Sequence, residues 1–141
     1  MLTKLSPHYD IAIFTASAMT YAQTIVNYID REKQFISTIL SRENCMETRN
    51  GFFIKDLRII KGRDLKDIIL VDNLVHSFGF QLDNGVPILE FTDNRKDEEL
   101  KYLTNYLLEA YKANDIRQFN KEKLRIRDIA NQKLDDLLNK L

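Results

Sequence analysis

The chain has 141 residues, 44% hydrophobic and 30% charged, which suits one globular domain with a real core and is too short for two. Lys plus Arg and Asp plus Glu number 21 each, so no overall field steers the chain to nucleic acid or an anionic membrane, and any anion site must be local. The single Cys45 excludes an internal disulfide and a cysteine-based metal cluster, and no apolar run approaches the roughly 20 residues of a membrane span. The amino terminus shows neither a basic leader nor a cleavage site, so a soluble cytoplasmic or nuclear protein is the expectation.

In chain order, Leu2 and Leu5 fit the tail of a helix stopped by Pro7. Asp10–Phe14 (DIAIF) reads as an apolar strand running into Thr15-Ala16-Ser17, where Thr15 or Ser17 would cap a helix from about Ala18 to Arg31. Tyr21, Ile25 and Tyr28/Ile29 form an apolar stripe on that helix, expected to face the core. Phe35–Leu40 (FISTIL) is β-branched enough for a short strand. Asn50-Gly51 between Met46–Thr48 and Phe52–Ile54 predicts a tight hairpin, with Phe52 and Phe53 placed either to line a substrate groove or simply to pack.

Lys66–Asn73 (KDIILVDN) is the centre of the pattern. Its aliphatic run reads as a strand buried on both faces that delivers Asp72 and Asn73 at its carboxyl end, the edge where open α/β sheets bind ligands. Val86–Phe91 is a further short strand, with Pro87 placing it at an edge or at a strand start. Lys96–Lys112 carries Leu100, Leu103, Leu107 and Tyr111 at helical spacing behind the cap candidates Asp93 and Asn94. Asn120–Leu141 reads as a charged amphipathic helix packing on the domain. Alternating strands and helices predict an α/β fold with a mostly parallel sheet.

Thr15, Lys55, Asp72 and Asn73 are the chemistry-bearing set. A strand-end hydroxyl and an ammonium can hold phosphate oxygens, and a carboxylate beside an amide can hold or orient Mg²⁺, which prefers oxygen ligands. His8 and His76 have no partner at ligand spacing, and Cys45 has only Arg42 as a neighbouring cation, which does not mark a nucleophile.

Several blocks then make the pattern specific. FTAS at Phe14–Ser17, RENC at Arg42–Cys45, FIKDL at Phe53–Leu57, GRDL at Gly62–Leu65, IILVDN at Ile68–Asn73 and DNGVPI at Asp83–Ile88 occur in sequence order. Over residues 1–117 the chain resembles the FCP/SCP homology domain, the NLI-interacting-factor-like small phosphatases of the RNA polymerase II carboxy-terminal domain within the haloacid dehalogenase (HAD) superfamily. Residues 118–141 are left as an appended helix. The resemblance implies a three-layer HAD-like parallel sheet with an inserted β-hairpin, and a Mg²⁺-dependent phosphoserine/phosphothreonine protein phosphatase acting through an aspartyl-phosphate. It makes Thr15 and Lys55 phosphate-binding, Asn73 a Mg²⁺ ligand, Asp72 its supporting acid, and the hairpin with Phe52 and Phe53 part of the groove for a phosphorylated partner.

Two departures accompany the resemblance. Leu74-Val75 stand where family members commonly have Ser-Pro after the Asp-Asn pair, and the family's DxDx[TV] motif, which carries the nucleophilic Asp, occurs nowhere in the 141 residues. That motif belongs to a first strand lying between the strands that end at Phe14 and Asp72. The expectation is an amino-terminally truncated domain, with a gap in its sheet, that is inactive as it stands. The alternatives are a non-catalytic phosphopeptide-binding module and a mitochondrial import receptor subunit carrying the same domain.

Overall fold

The computed structural model describes residues 1–131. Its regular elements are α1 (Leu2–Leu5), β1 (Ile11–Phe14), α2 (Met19–Ile29), β2 (Ile36–Leu40), β3 (Met46–Glu47), β4 (Phe53–Ile54), β5 (Leu70–Asp72), β6 (Gly85–Pro87), α3 (Glu99–Ala110) and α4 (Ile116–Leu124). Single 3₁₀ turns fill most of the connections. The architecture is mixed α/β, as expected, but the strands form three two-stranded sheets rather than one ladder. β1 pairs with β2 and β5 with β6, both parallel, and β3 with β4 antiparallel. Among the described residues β1 and β5 share no ladder.

Side chains join the two parallel pairs instead. Leu5, Val86, Leu103 and Leu107 form one buried cluster, against which Ile11 of β1 and Val71 of β5 both pack. Leu57, Leu70 and Phe78 form a second, touched by Phe14 from the end of β1. Burying apolar surface in this way contributes about 25 cal/mol per Å² whether or not the backbones pair, so the pairs hold together without a shared hydrogen-bond ladder.

Three expectations about helices are corrected. The stripe on α2 does not face the core: Tyr21 is 62% and Tyr28 72% exposed, Ile25 and Ile29 are exposed as well, and α2 buries Ala22 and Val26 instead. The reason is width. A two-stranded ribbon is only about 5 Å between strand axes, narrower than a helix about 10 Å across, so β1–β2 covers one narrow stripe of small residues. Neither Thr15 nor Ser17 caps α2, whose N-cap is Ala18. Asp93 and Asn94 do not cap α3 either; the carboxylate of Asp97 accepts the Glu99 N–H at 2.9 Å, while Asn94 accepts from Lys96.

On α3, Leu103 and Leu107 are buried as the spacing predicts, but Leu100 and Tyr111 are exposed. The continuous helix over Asn120–Leu141 is also corrected within the described residues. Helix α4 already starts at Ile116, capped by Asp115, and Arg125 closes it in the left-handed region (φ 50°) before helical structure resumes at 126–131. Residues 132–141 of that predicted helix lie outside the described residues.

The hairpin holds. Gly51, at φ +78°, takes the left-handed position that the turn requires, and Thr48 bonds to Phe52 and Gly51 across it.

Candidate functional site

Four short segments converge on the carboxyl end of β5. The first leaves β1: the Thr15 N–H donates to the Leu40 carbonyl at 2.8 Å, extending the β1–β2 pairing by one residue, and the Thr15 hydroxyl accepts from the Ser17 N–H at 3.1 Å. The second, at Arg42, clamps that turn, because its backbone N–H donates to Ser17 and its guanidinium Nε to the Ala16 carbonyl at 2.6 Å. A helical N-terminus does not hold the turn; Arg42 does.

The third segment brings Lys55 in just after β4. Its N–H donates to the Ser77 carbonyl at 2.7 Å, and Gln81 fixes the next two residues by accepting from Leu57 N–H and donating to Asp56. Asp56 is bonded in turn by Arg58 as well, which with the Gln81 bond holds its carboxyl down at about 2 despite the opposing cost of burial. The fourth segment is the end of β5, with Asp72 buried and Asn73 exposed.

At the centre the Lys55 ammonium forms an ion pair with Asp72 Oδ2, their side chains 10% and 7% exposed. The other Asp72 oxygen accepts the Leu74 N–H at 2.8 Å. The same ammonium lies 5.9 Å from the centre of the Phe14 ring, so Lys55, entering from β4, stands between the ends of β5 and β1. Cys45 marks how close the segments are. Its sulfur sits 3.7 Å from the Thr15 carbonyl oxygen; burial pushes its thiol up, the Lys55 charge pulls it down, Asp72 adds to the rise and Arg42 opposes it. A half-buried thiol held up in this way is not a nucleophile.

The two groove candidates flank the site. Phe52 is exposed with its ring 4.8 Å from that of His76, and Phe53 is half-buried under the Arg42 guanidinium. Leu74 and Val75 are exposed at the mouth beside them. Thr15, Lys55 and Asp72 are thus brought together, whereas Asn73 stands to solvent. Gln81 and Ser77, which position Lys55, carried no signal in the sequence, since each stands singly among apolar residues (Val75, Phe78, Phe80, Leu82) with no period to mark it.

Residues 1–117 match the family model described as NLI interacting factor-like phosphatase. The chain belongs to that family. It is 36% identical over 131 residues to CTD small phosphatase-like protein 2 of Dictyostelium discoideum, covering 93% of this chain and 23% of that protein. It is 39% identical over 129 residues to CTD small phosphatase-like protein 3 of Caenorhabditis elegans, covering 90% and 44%. A mitochondrial import inner membrane translocase subunit of Candida glabrata is 32% identical over 115 residues, covering 80% and 23%. The chain therefore spans less than half the length of each of these relatives.

The family implies Mg²⁺, and the residues present do not by themselves fit it. Both Asp72 oxygens are engaged, by Lys55 and by Leu74 N–H, and no three His, Cys, Asp or Glu side chains converge among the described residues. No helix among them is long and apolar enough to cross a membrane.

Proposed function

We propose that the chain is the phosphate-binding part of a phosphoserine/phosphothreonine protein phosphatase domain of the kind its relatives are named for, and that these 141 residues alone bind phosphate without hydrolysing it. In this reading β1 and β5 belong to a three-layer HAD-like sheet whose first strand, the one that carries the DxDx[TV] motif in the family, would lie between them. Thr15 and Lys55 hold the phosphoryl oxygens, and the hairpin with Phe52 and Phe53 walls the groove for the peptide. The resemblance sets Asp72 and Asn73 beside a divalent cation, but with Asp72 paired to Lys55 they do not hold one by themselves.

The observation that carries the reading is the convergence of the Thr15 segment, Lys55 and Asp72 around Cys45, because Thr15 and Asp72 lie more than fifty residues apart in sequence, at the ends of two different strands. An ammonium and a hydroxyl at a strand end suit an oxyanion bearing two charges. Turnover needs a nucleophile or an activated water as well. The chain has no Asp-x-Asp sequence, the thiol of the half-buried Cys45 is held up, and Asp72 is bound to Lys55.

Binding of a phosphoserine peptide by the 141-residue chain should weaken at least about tenfold in Lys55→Ala, roughly 1.4 kcal/mol, when followed by fluorescence anisotropy. No inorganic phosphate should be released above the buffer control. Enzymatic release, or binding indifferent to Lys55, would overturn the reading. The translocase relative supports a second reading, a protein-binding module with no phosphate requirement. In that case the unphosphorylated peptide would bind as well as the phosphorylated one.

A further inference from the structure

We infer that the Lys55–Asp72 pair closes the phosphate site against its own ligand, so that Asp72 is an electrostatic gate rather than part of the cradle; this rests on the phosphate-site reading above. The ammonium that would attract a phosphate dianion is already neutralised by the carboxylate paired with it, and both groups are about nine-tenths buried. A dianion approaching Lys55 therefore meets an ammonium whose charge is already cancelled, with Asp72 beside it as a like charge and Arg42, at the Thr15–Ser17 turn, as a further cation. Inside a protein that repulsion is screened far less than at the surface.

The pair is also anchored from both ends. Leu74 N–H fixes the free oxygen of Asp72, so the carboxylate cannot swing aside without breaking a second hydrogen bond, and the Ser77 carbonyl anchors the backbone from which the Lys55 side chain reaches it. An ammonium carries three donors, and Asp72 is the only side-chain partner of Lys55 among the described residues, which leaves donors for a phosphate oxygen once the carboxylate's charge is gone. The same geometry explains why Asp72 and Asn73 do not present a cation site: Lys55 already stands where a cation would neutralise Asp72.

The test is calorimetric titration of inorganic phosphate at constant ionic strength into the 141-residue chain and its Asp72→Asn, Lys55→Met and Lys55→Met/Asp72→Asn variants. Asp10→Asn serves as the control that removes the same charge from the opposite end of β1. Asp72→Asn should lower the phosphate Kd about tenfold relative to the unmodified chain, which a general loss of structure could not do. Asp10→Asn should leave it unchanged, and both Lys55→Met variants should abolish binding.

If the unmodified chain and Asp72→Asn bind equally well while Lys55→Met does not, phosphate binding stands and the gate is overturned. If no variant binds phosphate, the phosphate-site reading falls and the gate with it. Circular dichroism shows whether Asp72→Asn folds, and Asp72→Ser is the second variant. If neither folds, the pair is a structural requirement and the gate is overturned.

Discussion

At the level of single residues, the site depends on a small polar lattice that no motif announces. Lys55 is aimed because Asp56 and Leu57, the next two residues, are tied to Gln81, and Asp56 is the hub of that tie. Its carboxyl titrates near 2 in the folded chain against an ordinary value of 3.8, chiefly because Arg58 and then Gln81 bond to its ionised form. A folded-state value below the unfolded one means that the contribution is complete above about pH 4 and disappears as pH falls toward 2. Asp56→Asn should therefore destabilise the chain by about 1–2 kcal/mol at pH 7, as judged by urea denaturation, with the deficit shrinking between pH 4 and pH 2. A deficit that stays constant over that range would show that the carboxylate's charge is irrelevant. Thr15, Lys55, Asp72 and Asn73 were singled out as a set because family blocks mark them, and the structure draws the Thr15 segment, Lys55 and Asp72 together while leaving Asn73 exposed. Gln81 and Ser77 were not singled out, because a hydrogen bond between segments so far apart in the chain leaves no periodicity to read.

Among the elements, legibility followed burial. Only the carboxyl end of the strand expected over Lys66–Asn73 forms, as β5 (Leu70–Asp72), because the charged Lys66 and Asp67 stay exposed in a 3₁₀ turn; Asp72 is held at its end, where the apolar run places it. Helix α2 was placed correctly and faced wrongly, since a helical period says that one face is apolar but not how wide a surface exists to cover it. Strand β6 shows the opposite case, in which one small residue decides the packing. Gly85 pairs with Leu70, and a β-carbon there would overlap the ring of Phe78, which is fully buried and cannot turn away. Asn84 beside it donates to the Leu65 and Ile68 carbonyls, so the backbone cannot retreat either. Gly85→Ala should cost about 1–3 kcal/mol through overpacking, measured as a lower denaturation midpoint. Phe78→Leu in the same background should recover part of that loss, because the smaller side chain makes room. An unchanged midpoint in Gly85→Ala would mean that the ring is free to move.

Across the whole molecule the two parallel pairs are unequal. Most of the fully buried apolar residues belong to the segment from Leu57 to Ile116, whereas the β1–β2 pair and α2 contribute Ala22 and Val26. The alternation of elements pointed to one sheet, and the sequence could not show that the pairs would stay separate, because strand pairing depends on which edges meet rather than on any local pattern. Local stability follows buried contacts, so the lightly buried pair should open below the free energy of global unfolding. Asp30 limits how far this goes. Although burial works against its charge, three backbone N–H bonds from Gln34, Phe35 and Ile36 hold its carboxyl below the usual range and fasten the end of α2 to the start of β2. That staple makes α2 and β2 open as one unit rather than fray separately. Native-state hydrogen exchange should therefore show the amides of residues 11–14, 19–29 and 36–40 exchanging together, at a free energy below that of Leu103, Leu107 and Val86. If both groups exchange only through global unfolding, with equal dependence on denaturant, the side chains of Ile11 and Phe14 couple the pairs as tightly as a continuous sheet would.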